Sequence, residues 1–306
     1  MLDFVIIANP ASGSRAAPRL ATRARELLQA AGRAVELQVT AAQGDARRFA
    51  AEAAAQGVQT VVGCGGDGTL QEIATALDGS RSALGILPGG RCNDFARALG
   101  LRPSDPPEAL ARMLLGGRRR TLDLGAYHPL AAGAPGSGDK RFLTVATLGF
   151  DSEVSRFVEI HKLWLKGTPA YVYGVLRVLT RFHAPLVRLK GDFGTHEERV
   201  LLVATGNTPS YGGALHITPG ARLDDGLFQL CVVKDVSAFT VLRILPRVLK
   251  GTHTGHPAVS MLTTRSLEIE TPEGPQWVCA DGESLGQTPC KLEVRPHALQ
   301  VVIPGP

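Results

Sequence analysis

The first third of the chain alternates short apolar runs with amphipathic stretches, the pattern of strand-helix-strand units that build a parallel sheet. Residues 4–8 (Phe-Val-Ile-Ile-Ala) are the first predicted strand. The turn-rich Asn9-Pro10-Ala11-Ser12-Gly13-Ser14 leads from it into an Ala/Arg/Leu helix over 17–31 that stops at Gly32. A second strand is predicted over 35–40. The next helix runs from Gly44-Asp45 to Gln56, Gly57 ends it, and 60–64 is the third strand. Gly65-Gly66-Asp67-Gly68-Thr69 joins that strand to a helix over 70–77. The fourth strand, 84–87, passes through Pro88-Gly89-Gly90-Arg91-Cys92 into a helix capped by Asn93 and Asp94.

After Asp123 the pattern changes. Residues 125–140, rich in Gly, Pro and Ala, are predicted to be a loop. Beyond Phe193, β-branched runs at 200–205, 227–233, 259–263, 266–270, 276–280, 291–294 and 299–303 are separated by Gly, Pro and Asp, which predicts a β-sandwich. A helical pair over about 152–166 and 169–182 interrupts it, with Val154, Phe157, Val158, His161, Trp164 and Leu165 on one face of the first helix. Between Arg156 and Lys190 seven Lys/Arg face one acid, Glu159, a local excess of six that is larger than the +5 of the whole chain. Such a basic amphipathic surface is either a solvated face or a surface that lies on anionic lipid.

At 306 residues the chain is about twice the usual domain length, so two domains are expected: 1–124, and 125–295 with the helical insertion 152–182. Residues 296–306 are expected as a tail able to return to the first domain. Apolar residues at 44% and charged residues at 20% exclude a disordered chain, and a net charge of +5 is too dilute for a protein that coats nucleic acid. Arg supplies most of the cations. Five scattered cysteines without a CxxC pair argue against both a disulfide framework and a zinc site. No basic leader and no apolar run near 18 residues is present, so a cytoplasmic chain touching membranes only from outside is expected.

Gly65-Gly66-Asp67-Gly68-Thr69 carries the most chemistry. Glycines let backbone N–H groups crowd against an anion, the following helix adds its positive end, and Thr69 can donate a hydroxyl. Asp67 suits such a phosphate cradle only if a divalent cation bridges it to the phosphates, which points to Mg²⁺ with a nucleotide. The alternative is a tight turn with Asp67 as a cap. Neither G-x-x-x-x-G-K-[ST] nor G-x-G-x-x-G occurs, so the site is neither a P-loop nor a dinucleotide fingerprint. Asn9-Pro10-x-Ser12-Gly13 would stand beside the same switch point of a doubly wound sheet, or be a Pro-fixed turn.

Six motifs occur in one order: Asn9-Pro10-x-Ser12-Gly13, Gly65 to Thr69, Leu87-Pro88-x-Gly90-x-x-Asn93-Asp94-Phe95-Ala96-Arg97, Leu223-Asp224-Asp225-Gly226-Leu227, His253-Thr254-x-His256-Pro257 and Asp281-Gly282-Glu283. In this series the chain resembles the diacylglycerol kinase catalytic family, which includes sphingosine and ceramide kinases, and above all its soluble bacterial lipid kinases. The resemblance spans nearly the whole chain. It implies an α/β fold, with an N-terminal three-layer, NAD kinase-like domain on a parallel sheet, a C-terminal β-sandwich, and an active cleft between them. The activity implied is ATP-dependent phosphorylation of a lipid hydroxyl, diacylglycerol or a relative, in phospholipid biosynthesis. Residue by residue, it implies nucleotide contacts from Asn9, Ser12, Gly13, Thr40, Gly65, Gly66, Asp67, Gly68, Thr69, Leu70, Gln71, Arg91, Asn93 and Asp94. Glu283 falls at the family's general base, with Asp67 and Asp281 counted as catalytic beside it. Asp225 falls at a structural Mg²⁺ site together with backbone oxygens of Arg222 and Leu227, and Asp123 at an acid coupled to that metal. The implied partners are ATP, Mg²⁺ and a lipid at the inner face of the membrane, with peripheral association and no nucleic acid; a homodimer is left open.

The chemistry of the residues agrees with those roles. An alcohol is a poor nucleophile near neutral pH, so a carboxylate must take its proton as it attacks the γ-phosphoryl group. Taken alone, Asp281-Gly282 reads as a type I′ hairpin turn and Asp224-Asp225-Gly226 likewise as a turn. His253 and His256 read as packing or capping groups. Three departures stand out: Gln71 for the family's Asn, Arg91 for its Thr, and Ser14-Arg15 where Lys commonly follows Ser-Gly. Arg91 can grip a phosphate or alter nucleotide preference. A NAD kinase-like enzyme and a non-catalytic lipid or nucleotide sensor are the competing readings.

Overall fold

The computed structural model describes residues 2–13, 17–131, 140–161, 173–175, 177–178, 182–213 and 215–305. The chain divides into two compact units, Met1–Leu124 with Leu223–Asp225 and Arg295–Pro306, and Gly125–Arg222 with Gly226–Val294.

In the first unit the order is β1 (Phe4–Ala8), α1 (Ala17–Ala30), β2 (Val35–Val39), α2 (Asp45–Ala55), β3 (Thr60–Gly65), α3 (Asp67–Leu77), β4 (Ala83–Pro88), α4 (Asp94–Ala98) and α5 (Pro107–Gly116). Strands β1, β3 and β4 are buried throughout, as strands covered on both faces must be. The sheet order is β2-β1-β3-β4, all parallel. Stepping from β1 out to β2 and back across to β3 reverses the direction of winding, and right-handed crossovers then place α1 on one face of the sheet and α2 and α3 on the other. The helix contacts agree: α1 packs on α5, and α2 packs on α3. Because the winding reverses between β1 and β3, the loops at their carboxyl ends splay apart and leave a crevice there.

Two long strands run from one unit into the other along the chain, β5 (Arg118–Pro129) and β15 (Cys290–Ile303). The last part of β15 joins the first unit's sheet in parallel beside β4, with Val301 opposite Leu84. The expected loop over 125–140 is therefore corrected at both ends, since β5 continues to Pro129 and β6 (Lys140–Phe142) follows. Gly125 is there because the Phe142 ring lies where a Cβ would stand, so glycine marks close packing at this position. Residues 132–139 of that loop lie outside the described residues.

The second unit contains β7 (Val145–Gly149), α6 (Phe150–His161), β8 (Leu186–Gly191), β9 (Gly194–Gly206), β10 (Phe228–Lys234), α7 (Ala238–Leu249), β11 (Val259–Thr264), β12 (Ser266–Glu270), β13 (Trp277–Ala280) and β14 (Glu283–Gln287). One antiparallel sheet has the order β11-β10-β9-β7-β13-β14. The N-terminal part of β9 turns away to pair with β8, which pairs with β12, which pairs with β15. Alternating side chains meet inside: Val187 and Leu189 from β8, Leu230 and Val232 from β10, Leu267 and Ile269 from β12, and Val278 from β13. Phe142 and Phe228 stack at 5.6 Å in this core. A second cluster lies on another face, where Ile244 and Val248 of α7 pack on Val145, Leu201, Ala204, Cys231 and Val233.

Of the expected basic helical pair, the first helix is seen as α6, and residues 173–175 and 177–178 of the second are helical. Lys162, Lys166 and Arg181 lie outside the described residues. Burial pushes the thiols of Cys64, Cys231 and Cys290 up to about 12, which leaves them inert as nucleophiles.

His253 is fully buried in the α7 cluster's neighbourhood, with Nε2 3.0 Å from the Ile217 carbonyl and 3.7 Å from Cys231 Sγ. Its Nδ1 is buried without a hydrogen-bond partner. His256 Nδ1 accepts from the Ala258 amide at 3.1 Å, so both imidazoles serve the backbone. Burial lowers the His253 pKa from its ordinary 6.5. The unfolded chain therefore takes up a proton first as pH falls below 6.5, and stability is lost from there down to the lowered value. His253→Gln keeps a donor toward Ile217 and removes the titration. Its urea midpoint is expected to fall less than the wild type's between pH 8 and pH 5.5; equal declines would refute the assignment.

Candidate nucleotide and base sites

The crevice at the carboxyl ends of β1 and β3 is lined by the loops the sequence singled out. Asn9 opens the first: its amide N–H donates to the Cys64 carbonyl at 3.0 Å, and its side-chain Nδ2 donates to Thr69 Oγ1 at 3.0 Å. Its Oδ1 accepts from the Ala11 amide at 2.9 Å, which turns the chain back on itself. Ser12 Oγ accepts from the Gly66 amide at 3.3 Å, and Thr40 stands beside them through its amide bond to the Ala8 carbonyl at 2.9 Å. Thus Asn9, Ser12, Thr40 and Thr69 converge on one end of the sheet.

Glycine is required here by approach distance. A Cβ on Gly90 would strike the Gly66 backbone, and one on Gly13, which has φ of +60°, would strike the Gly89 carbonyl. A Cβ on Gly89 would come within 2.9 Å of Ala17 Cβ. The loops after β1, β3 and β4 therefore touch backbone to backbone, and Gly66 keeps bare peptide toward the crevice. Helix α3 begins at Asp67, three residues earlier than expected, with Gly66 as an N-cap that offers no side-chain bond. The first-turn N–H groups of Gly68 and Thr69 lie at that uncapped end.

Asp67 Oδ1 accepts from the Phe95 amide at 3.2 Å. Burial nonetheless raises the Asp67 pKa, because desolvation outweighs the N–H groups of Phe95, Asp94 and Asn93 that face the carboxylate. Asn93, expected as a helix cap, adopts a left-handed backbone (φ 49°) and turns its Oδ1 back to the Gly90 amide at 3.0 Å. Its Nδ2 is buried and has no partner. An orphaned donor, an uncapped helix start and a desolvated carboxylate together fit an anion carrying a divalent cation. Leu70 and Asp94 are buried, Gln71 is half-buried, and Arg91 is exposed.

Asp123 is fully buried in the first unit, where its amide donates to the Leu223 carbonyl at 2.7 Å and its Oδ1 accepts from the His297 amide at 2.8 Å. Asp224 pairs with Arg120, and Asp225 follows as an exposed turn residue; Arg222 and Leu227 belong to the second unit. Among the described residues no group of three or more His, Cys, Asp or Glu stands at metal-binding distance. A Mg²⁺ ion held by one or two carboxylates, with backbone and phosphate oxygens completing its shell, needs no such group.

In the second unit Asp281 (φ 53°) and Gly282 (φ 84°) are the two-residue turn between β13 and β14, with Ala280 opposite Glu283. Positive φ at both positions is the type I′ geometry. The Asp281 carboxylate accepts from the Leu143 amide at 2.7 Å, the Thr144 amide at 3.0 Å and the Thr144 hydroxyl at 2.5 Å. It thereby fixes the turn that presents Glu283, which is half-buried. Sequence reasoning missed the support behind this turn. Thr147 Oγ1 donates to Asp151 Oδ2 at 3.1 Å and lies 3.4 Å from the Cys279 carbonyl of β13, while Ser152 Oγ donates to the Thr147 carbonyl at 2.7 Å. Arg156 stacks on Trp277 at 3.8 Å. The available signal was Gly149-Phe150-Asp151 at a strand-to-helix junction, where Gly149 has φ of +98° and a Cβ would meet the Leu201 carbonyl at 2.5 Å.

A family profile described as the diacylglycerol kinase catalytic domain matches residues 3–127, and one described as the YegS C-terminal NAD kinase β-sandwich-like domain matches residues 144–303. A diacylglycerol kinase of Mycobacterium tuberculosis (strain ATCC 25618 / H37Rv) is 35% identical over 300 residues, covering 97% of this chain and 94% of its own. A Pseudomonas aeruginosa (strain UCBPP-PA14) protein named "Probable lipid kinase YegS-like" is 37% identical over 281 residues, covering 90% and 86%. In fold, the chain is similar to a diacylglycerol kinase structure from Bacillus anthracis str. Sterne, with a TM-score of 0.72 at 24% identity over 98% of this chain and 96% of that one. It is also similar to yeast NADH kinase, with a TM-score of 0.54 at 11% identity over 99% and 84%. With a parallel α/β unit, a β-sandwich unit and relatives of this identity along its length, the chain belongs to the diacylglycerol kinase catalytic family of lipid kinases, in its YegS-like branch.

Proposed function

We propose that the protein transfers the γ-phosphoryl group of ATP to the hydroxyl of a diacylglycerol-like lipid at the inner face of the membrane. The observation that carries the reading is the crevice after β1 and β3, where the Gly66 backbone, the uncapped start of α3 and the unpartnered Asn93 Nδ2 are left for an anion. Asn9, Ser12 and Thr40 shape its wall, Thr69 and the Gly65–Gln71 segment bind the phosphates, and Arg91 adds a guanidinium at the rim. Asp67 would hold the Mg²⁺ that accompanies the nucleotide; bound there, the ion offsets charge on the transferring group. Asp225, Asp123 and the backbone oxygens of Arg222 and Leu227 would hold a structural Mg²⁺.

Glu283 takes the proton of the lipid hydroxyl as that oxygen forms its bond to the γ-phosphorus, and ADP departs with the electrons of the broken P–O bond. Asp281 acts through Glu283, as a positioning residue. The basic segment over 152–182 contributes cations for contact with anionic lipid.

With purified protein, γ-labelled ATP, Mg²⁺ and a panel of lipid extracts, a labelled lipid is expected. ATP binding without any labelled lipid would overturn the reading, and label in NAD would replace the lipid acceptor with a soluble one. Glu283→Gln is expected to lower turnover by about 10²–10⁴-fold with nucleotide affinity retained. An unchanged rate would remove Glu283 as the base.

Asp67→Asn can keep the bond from the Phe95 amide while removing a carboxylate that burial disfavours. The raised pKa means the wild type loses stability as pH rises through it, a loss the variant lacks. The variant is therefore expected to melt no lower than wild type at pH 7.5 and to bind Mg²⁺-ATP about 10–100-fold more weakly. A lower melting point with unchanged affinity would make Asp67 a structural cap.

A further inference from the structure

Helix α7 is amphipathic with a side that the described residues do not cover. Ile244 and Val248 face inward and are 5% and 7% exposed, in the cluster that includes Val145, Leu201 and Cys231. On the other side Phe239, Leu242, Leu245 and Leu249 are 62%, 61%, 45% and 48% exposed. At about 100° per residue these four fall within an arc of roughly 120°. Of the seven large apolar side chains exposed among the described residues, four belong to this one stripe. Ser237 caps the helix, accepting from the Thr240 amide at 3.3 Å, so the row is held on a regular element.

The border of the stripe selects its partner. Arg243, Arg247 and Lys250 flank it, and the Arg243 guanidinium lies 4.1 Å from the centre of the Phe239 ring. No Asp or Glu occurs from Val236 through Leu267. An isolated row of apolar side chains edged by cations is the arrangement that sinks into the headgroup boundary of a bilayer, where alkyl chains take the apolar row and lipid phosphates take the cations. A second copy of the chain fits poorly: a two-fold contact through this patch would bring the cations of both copies together, and a stable interface takes about 800 Å² and 20–30 residues per partner.

We propose that α7 is a membrane-docking element that seats on anionic bilayer, with Phe239, Leu242, Leu245 and Leu249 inserted and Arg243, Arg247 and Lys250 on the headgroups. The purpose of this surface, though not its binding, rests on the lipid-kinase reading.

The test is co-sedimentation of the full chain with vesicles of phosphatidylcholine alone or with about one-third phosphatidylglycerol. The wild type is expected to pellet with the anionic vesicles and to be partly released by salt. Phe239→Ser/Leu242→Ser is expected to lose about tenfold or more in partitioning at every salt concentration. Arg243→Glu/Arg247→Glu is expected to weaken the preference for the anionic vesicles. These side chains are exposed and belong to the second unit, whereas the crevice residues belong to the first, so ATP affinity and melting temperature serve as controls for folding. Variants that pellet like wild type would overturn the proposal and leave 152–182 as the contact. A wild-type dimer that the apolar variant converts to monomer, with vesicle binding unchanged, would overturn it in favour of self-association. Kinase rates separate this inference from the function proposed above. With lipid in detergent micelles the variants are expected to match wild type, and with lipid in vesicles to fall behind it. Docking that depends on α7 in a protein without lipid kinase activity would sustain the surface and refute the function.

Discussion

The crevice at the carboxyl ends of β1 and β3 depends on one contact, the approach of the Gly66 backbone to the Gly90 backbone. A Cβ on Gly90 would strike the Gly66 Cα, so this approach requires glycine at 90. The contact sets the loops after β3 and β4 side by side, and from it follow the αL turn at Asn93, its bond to the Gly90 amide and the burial of Asp67 under the start of α4. A methyl group at Gly90 would press on the Gly66 backbone and on Asn93 Oδ1, so the strain would be relieved by moving the crevice wall itself. The unsatisfied groups left behind, an amide donor and a desolvated carboxylate, are costly in the empty protein. In the function proposed above, they are binding energy held for an anion and its counter-ion.

The second unit solves a different problem by a related device. Glu283 sits one residue past a two-residue turn, a place where a short hairpin would ordinarily fray. Asp281 prevents that by accepting three hydrogen bonds from Leu143 and Thr144, and Thr147, Asp151 and Ser152 stiffen the strand pair behind it. If Glu283 is the base proposed above, such a rigid mount serves it, because an error of about 1 Å in placement is expensive in rate.

Much of the first unit was legible in the sequence. Buried parallel strands such as Phe4–Ala8 are unbroken apolar runs, and the glycines at 65, 66, 89 and 90 punctuate them at the crevice. The exact start of α3 was not legible, since Gly66 caps it by conformation and leaves no polar signature. In the second unit, β8 is six residues long with Arg188 and Lys190 at alternate positions, and β6 is three residues long, so neither stands out from a loop. Gly125 misled because glycine makes room for the Phe142 ring as readily as it makes a turn. Helix α7 was hidden by Pro246 in its interior. The type I′ turn at Asp281-Gly282 was readable from the dipeptide, whereas the bonds of its carboxylate to residues 138 and 137 positions earlier were not.

The long strand Cys290–Ile303 supplies residues to both units, pairing with β12 through its first half and with β4 near its end. The edge of β4 is therefore closed only by a residue more than 200 positions further along the chain, Val301 opposite Leu84. During synthesis that edge stays open while the whole intervening stretch is made. Such late, long-range closure slows folding and leaves nascent edges in need of protection from neighbouring chains.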